Sequence, residues 1–206
     1  GFILSFSAEA GQFPMPVRPG QELWRKPFNA ALEKKVSGDV KNPYDEIIEW
    51  FRTQSGVTIV VDPAGEPPTK PLITLNAKDI ALGQALKQVL APLNMEYEVR
   101  DMAIFIYNPK KLDKNMLLME DLPIAKMLDH RAEVLTFEPE AMPTGDAIKQ
   151  LTETPGIKLT VEEGLKKVPI TLKLKEIGLG YALRWTVRFA GGKLIVGRDG
   201  LQVVKR

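Results

Sequence analysis

Ile73-Thr74-Leu75-Asn76-Ala77-Lys78-Asp79-Ile80-Ala81-Leu82-Gly83-Gln84-Ala85-Leu86 is written twice in this chain. Its second copy is Ile170-Thr171-Leu172-Lys173-Leu174-Lys175-Glu176-Ile177-Gly178-Leu179-Gly180-Tyr181-Ala182-Leu183. The offset is a constant 97, and nine of the fourteen pairs are identical. Ordinary composition gives roughly one match in such a window, so the stretch is an internal repeat. Upstream, Pro43, Ile48, Gly56 and Val61 meet Pro143, Ile148, Gly156 and Val161 at an offset of 100. Downstream, Arg100-Asp101 meets Arg198-Asp199 at an offset of 98. The drift places small insertions in loops, where chain closure tolerates them. A unit of about 65 residues has the size of a small domain and exceeds a solenoid repeat.

Each copy predicts the same order of elements. In the first, Val36 to Lys41 reads as a strand. Asn42-Pro43 starts a helix over 43–54, whose Tyr44, Ile47, Ile48 and Phe51 share one face, and Ser55-Gly56 closes it. The β-branched run Val57-Thr58-Ile59-Val60-Val61 predicts a buried strand, and Leu72 to Leu75 the next. Asp79 is placed to cap a second helix that turns Leu82, Ala85, Leu86, Val89 and Leu90 inward and ends near Pro92. Met95 to Val99 and Ala103 to Tyr107 form a terminal hairpin. The second copy predicts strands over 134–137, 157–161 and 170–174, helices over 143–154 and 179–189, and a hairpin from Lys193 to Val204. The fold class is therefore α+β: two tandem βαββαββ-like domains, each with two helices packed on small mixed or antiparallel sheets.

The expected division is an arm over 1–20, a first domain over 21–108, a linker over 109–132 and a second domain over 133–206. Phe2 to Phe6 followed by Ala8-Glu9-Ala10 resembles the end of a secretory signal, or else forms an apolar arm packed on a domain. The chain opens on Gly1 without an initiating Met, which reads as a fragment. Pro14, Pro16, Pro19 and Gly20 predict an extended segment, and Pro27 to Lys35 a short helix. The linker shows no counterpart in the first copy. Within it Ile124, Met127 and Leu128 form one face of a short helix, and Met116 to Met119 form an apolar patch.

Composition narrows function mostly by exclusion. The chain has 206 residues, a net charge of +2 and no cysteine, which removes disulfides, thiolate nucleophiles and Cys-based metal sites. No apolar run reaches the ~18 residues of a membrane-spanning helix. Residues 1–140 carry 16 basic and 20 acidic side chains; residues 141–206 carry 12 and 6. A basic second copy suits an acidic partner, lipid headgroups or nucleic acid, or simply a solvated surface rich in Lys. His130 is the only histidine and reads as a linker residue near Asp129. Glu162-Glu163 and Glu120-Asp121 read as solvated turns, and no phosphate-binding glycine fingerprint occurs. No catalytic or metal-ligating constellation is expected, so neither an enzyme nor a cofactor is predicted.

The run Gly56, Val57-Thr58-Ile59-Val60-Val61-Asp62-Pro63, then Ile73-Thr74-Leu75 and Ile80-Ala81-Leu82-Gly83-Gln84-Ala85-Leu86, resembles the short N-terminal domains of secretins. Similar modules precede the barrel of signal-transducing TonB-dependent receptors. The resemblance covers about residues 36–108 and 133–206, and the second copy departs from it where Thr160-Val161-Glu162-Glu163 replaces the Val-Val-Asp-Pro element. The resemblance implies a periplasmic, non-catalytic module that binds envelope proteins or helps arrange rings below an outer-membrane pore. It carries no catalytic residue over to this chain.

Short strands leave edge amides and carbonyls with which a partner strand can pair. Tyr97, Arg100, Phe105 and Arg198 at the terminal hairpins are the candidate contacts. Tyr181 and Trp185, at helical spacing, form either core or an exposed partner patch, and the spacing favours core. The alternative is nucleic-acid binding by the basic second copy: Gly197-Arg198-Asp199-Gly200 matches the GxxG loop of KH domains. That loop joins two helices in KH domains, whereas two strands are predicted here and Asp199 repels phosphate. The hairpin turn is the favoured reading.

Overall fold

The computed structural model describes residues 23–117, 120–129 and 134–206. The apolar stretch Phe2–Phe6, the proline-rich segment and His130 lie outside the described residues, as does part of the Met116–Met119 patch. The first half runs helix α1 (Arg25–Glu33), strand β1 (Lys35–Pro43), helix α2 (Tyr44–Ser55) and strands β2 (Ile59–Val61) and β3 (Leu72–Ala81). Helix α3 (Leu82–Leu90) and the hairpin β4 (Glu96–Arg100) and β5 (Ala103–Tyr107) complete it. Next come α4 (Leu122–Asp129), β6 (Leu135–Phe137), β7 (Met142–Pro143), α5 (Thr144–Glu153), β8 (Leu159–Val161) and α6 (Glu163–Lys166). Strands β9 (Pro169–Ile170) and β10 (Leu174–Ile177), helix α7 (Leu179–Phe189) and the hairpin β11 (Gly192–Gly197) and β12 (Gly200–Lys205) end the chain. The protein is α+β.

The pairing is built twice. Strand β1 pairs antiparallel with β3, and a second sheet has the order β2-β5-β4 with β2 parallel to β5. In the second half β6 and β7 pair with β10 and β9, and a three-stranded sheet has the order β8-β12-β11 with β8 parallel to β12. Single hydrogen bonds repeat as well. The Tyr44 amide donates to Pro71 O at 3.0 Å, as Thr144 does to Val168 O at 2.9 Å. Likewise Asp62 donates to Ile106 O at 2.8 Å and Glu162 to Val203 O at 2.9 Å.

Three expectations need correction. Asp79 does not cap α3: Ala81 occupies that place, and Asp79 sits within β3 at φ +50. Its amide is held by Ser37 Oγ at 3.0 Å, beside the register shift between Val36 and Gly38. Glu176 takes φ +49 at the matching shift before α7, so the repeated acidic residue belongs to a bulge in both copies. The Arg-Asp identity at offset 98 is also out of structural register by one. Arg100 pairs with Ala103 and Gly197 with Gly200, so Asp101-Met102 and Arg198-Asp199 are the equivalent turns. Arg198 therefore stands where Asp101 stands, because turn residues are not bound to the ladder and an identity there sets no register.

The third correction concerns α4, which does have a counterpart: α1. Each crosses the second helix of its half at the repeated glycine. A Cβ on Gly83 would lie 3.3 Å from Leu32 O of α1, and one on Gly180 would lie 1.8 Å from Ala125 O of α4. On α4 the inward residues are Ala125 and Leu128, whereas Met127 is exposed.

Two apolar cores result. One lies between α1, α2, α3 and the inner face of β2-β5-β4, from Ile47, Phe51, Ile59, Leu86, Ile104 and Ile106. The other centres on α7 and takes in Val60, Ala103 and Phe105 from the opposite face of that first-half sheet. The sheet is thus covered on both sides, by α2 and α3 on one and α7 on the other. Helix α7 lies between that sheet and its own half, which buries ten of its eleven residues.

Candidate functional site

The most concentrated chemistry is a buried charge cluster where the halves meet. Asp101 projects from the β4–β5 turn, where it and Met102 adopt φ +48 and +57, the twist a two-residue hairpin requires. Its carboxylate accepts from Arg184 and, at 2.5 Å, from Arg188. Its backbone carbonyl accepts from Trp185 Nε1 at 2.9 Å. Asp121, just ahead of α4, accepts from Arg184 Nε at 2.6 Å. All four charged side chains are 5% exposed or less. Burial pulls Arg188 down to about 10, against the upward pull of Asp101, so it is still cationic at neutral pH. Two carboxylates and two guanidiniums balance, and the cluster ties the first hairpin and α4 to α7.

Three of the six candidate contacts are buried. Phe105 and Trp185 are 0% and 1% exposed and pack on each other with ring centroids 5.1 Å apart. Tyr181 is buried against Trp24 at 5.9 Å. None of these three presents a surface to a partner, because the face of α7 that would be exposed on a lone half is covered by the other half. Tyr97 is half-buried, its hydroxyl donating to Gly83 O at 3.2 Å. Arg100 is half-buried and pairs with Glu98 at 2.6 Å. Arg198 is exposed at the β11–β12 turn. That turn carries the GxxG sequence and joins two strands, unlike the helix–helix loop of KH domains.

The sheet edges differ between halves. In a parallel ladder alternate residues bond across, and the bonds of Thr58 and Asp62 to β5 leave Ile59 and Val61 facing outward from β2. That edge is guarded. Arg52 donates from Nε and Nη2 to Ile59 O at 3.2 and 3.0 Å. Thr58 Oγ1 donates to Lys175 O at 2.7 Å and accepts from the Lys175 amide at 2.8 Å. Lys173 reaches Glu49 at 2.6 Å. Burial works against ionisation of Glu49, yet the bond from Lys173 and the charge of Arg52 hold it below its usual range. The second-half segment around Lys173–Lys175 therefore lies along β2, whose three residues are all buried.

Strand β8 occupies the same place in the second half, yet Leu159 and Val161 are half-exposed and Thr160 is exposed. It is an outer strand of its sheet and borders a groove of about 630 Å³ lined by Pro143, Asp146, Lys166 and Lys167. Sequence reading did not separate the two edges, although the loss of the β-branched run at Leu159 and the clustered lysines were visible signals.

Comparison with family models, with curated proteins and with solved structures finds no match to this chain. Among the described residues no group of three or more His, Cys, Asp or Glu is placed to hold a metal ion, and no helix is long and apolar enough to cross a membrane.

Proposed function

We propose that this chain is a non-catalytic interaction module of the cell envelope, a periplasmic part of a secretion or outer-membrane signalling or transport system, that binds protein through a sheet edge. The observation that carries the reading is the unguarded edge of β8, beside the guarded edge of β2 in the same fold. An outer strand with outward amides and carbonyls is a template for strand addition. Four buried charges, Asp101, Asp121, Arg184 and Arg188, are engaged with one another across the junction, a structural use that leaves the surface to do the binding. The resemblance of both copies to secretin N-terminal domains supports the envelope and an assembly role.

Cross-linking in intact cells, followed by mass spectrometry of the captured peptides, tests this. Envelope proteins linked near β8 or the β11–β12 hairpin are the expected outcome. Capture of ribosomal proteins or nucleic acid would overturn both the location and the binding class. A Val161→Pro substitution removes an outward amide rather than a ladder bond, so it should abolish binding while the protein stays folded. Unchanged binding would end the strand-addition mechanism at β8.

A further inference from the structure

The repeat supplies an internal template for what the β8 edge accepts. Equivalent backbone bonds place Glu49 opposite Lys149, Arg52 opposite Thr152 and Thr58 opposite Lys158, each at an offset of 100. In the first half the segment lying along β2 is basic, with Lys173 on Glu49 and Lys175 on Thr58. In the second half the receiving positions have become cationic: Lys149 and Lys158 are exposed, and Lys166 and Lys167 line the groove. The guard has gone too. Where Arg52 caps the outward carbonyl of Ile59, Thr152 turns back on its own helix and donates to Ile148 O at 2.8 Å. The acidic side chains nearby only partly offset this excess. Asp146 lines the groove, Glu163 pairs with Lys166, and Glu162 accepts the Lys205 amide at 2.8 Å.

We propose that the open edge of β8 takes an extended, acidic segment of a partner protein as an added strand, bonded to Leu159 and Val161 and flanked by Lys149, Lys158 and Lys167. This rests on the reading of the chain as a sheet-edge binding module and names the chemistry of its partner. Backbone bonds supply the pairing, and opposite charge selects the segment and speeds its arrival. The β2 edge, blocked by Arg52 and the Lys173–Lys175 segment, does not compete for it.

The test is an amide-resolved NMR titration of the full chain with an acetylated peptide of alternating Glu and Val, about eight residues long to match an ordinary strand. The expected result is a saturable shift of the Leu159 and Val161 amide signals, absent with the corresponding Lys-Val peptide. Lys149→Glu combined with Lys158→Glu, both at exposed sites, should weaken binding about tenfold. Equal response to the Lys-Val peptide would overturn the proposal, as would a larger response of the same signals to a single-stranded oligonucleotide. Shifts confined to Leu194 and Val196 of β11 would end the β8 assignment and leave the sheet-edge reading standing. No shift at any strand edge would end both.

Discussion

Asp101 shows how much can hang on one turn residue. It holds two buried guanidiniums and the Trp185 indole of a helix more than eighty positions away in sequence. Truncating it leaves Arg184 and Arg188 short of a counter-charge in a buried site, so Asp101→Ala should cost about 3–5 kcal/mol in denaturant unfolding. Replacing exposed Asp199 by Ala, at the matching hairpin, should change stability by about 0.5 kcal/mol or less. Asp62 acts in the opposite sense. It is 2% exposed; one oxygen accepts the Ala64 amide, while the other has no partner among the described residues. Burial raises its pKa above the ordinary value, so the folded chain binds the proton more tightly than the unfolded chain does. Its contribution is most favourable below the unfolded value of about 3.9 and is lost as pH rises through the folded value. Asp62→Asn should flatten that fall in a pH series of melting temperatures; an unchanged slope would assign it elsewhere, to Glu66 for example, which burial shifts the same way.

At the scale of elements, the repeated glycine sets how closely the leading helix can cross. The Cβ of Gly180→Ala would fall 1.8 Å from Ala125 O and 2.6 Å from its carbonyl carbon, contacts that only backbone movement relieves. The substitution should destabilise by at least about 2 kcal/mol. Gly164→Ala in α6, where nothing lies within 4 Å, should be neutral or slightly stabilising by comparison. The long ribbon of β1 and β3 shows the limit of equivalence between copies. Its counterpart breaks into β6 with β10 and β7 with β9, around Pro139, which has no amide to donate, and Ala141 at φ +47.

For the whole molecule, the shared core makes the halves depend on each other. Val60, Ala103 and Phe105 contribute to the core around α7; a separated first half would expose them. Unfolding should therefore give one transition, with tryptophan fluorescence and far-ultraviolet dichroism coinciding; two resolved transitions would contradict a shared core. The same junction cannot be reused head-to-tail between copies. Arg198 replaces Asp101 and Gln202 replaces Phe105 on the second hairpin, while Lys87 and Gln88 replace Arg184 and Trp185 on α3. Such a contact would set Arg198 against Lys87 and polar side chains against each other, so any ring of copies must use another surface.

The duplication, the main strands and helices of each copy and the inward faces of α2 and α3 were legible from the chain alone, because each depends on local spacing; α6 and the break of the second ribbon into β6 with β10 and β7 with β9 were not. The candidate contacts were not. Phe105 read as a hairpin side chain open to a partner, and Tyr181 and Trp185 left an exposed patch open as the alternative to core. Both impressions fail because the first-half sheet covers α7, and whether a face meets water or another half is settled by residues far away in sequence. The contrast between β2 and β8 has the same origin. The two strands fill the same place in the same connectivity, and only tertiary packing decides that Lys173–Lys175 lies along the first and that the second stands open.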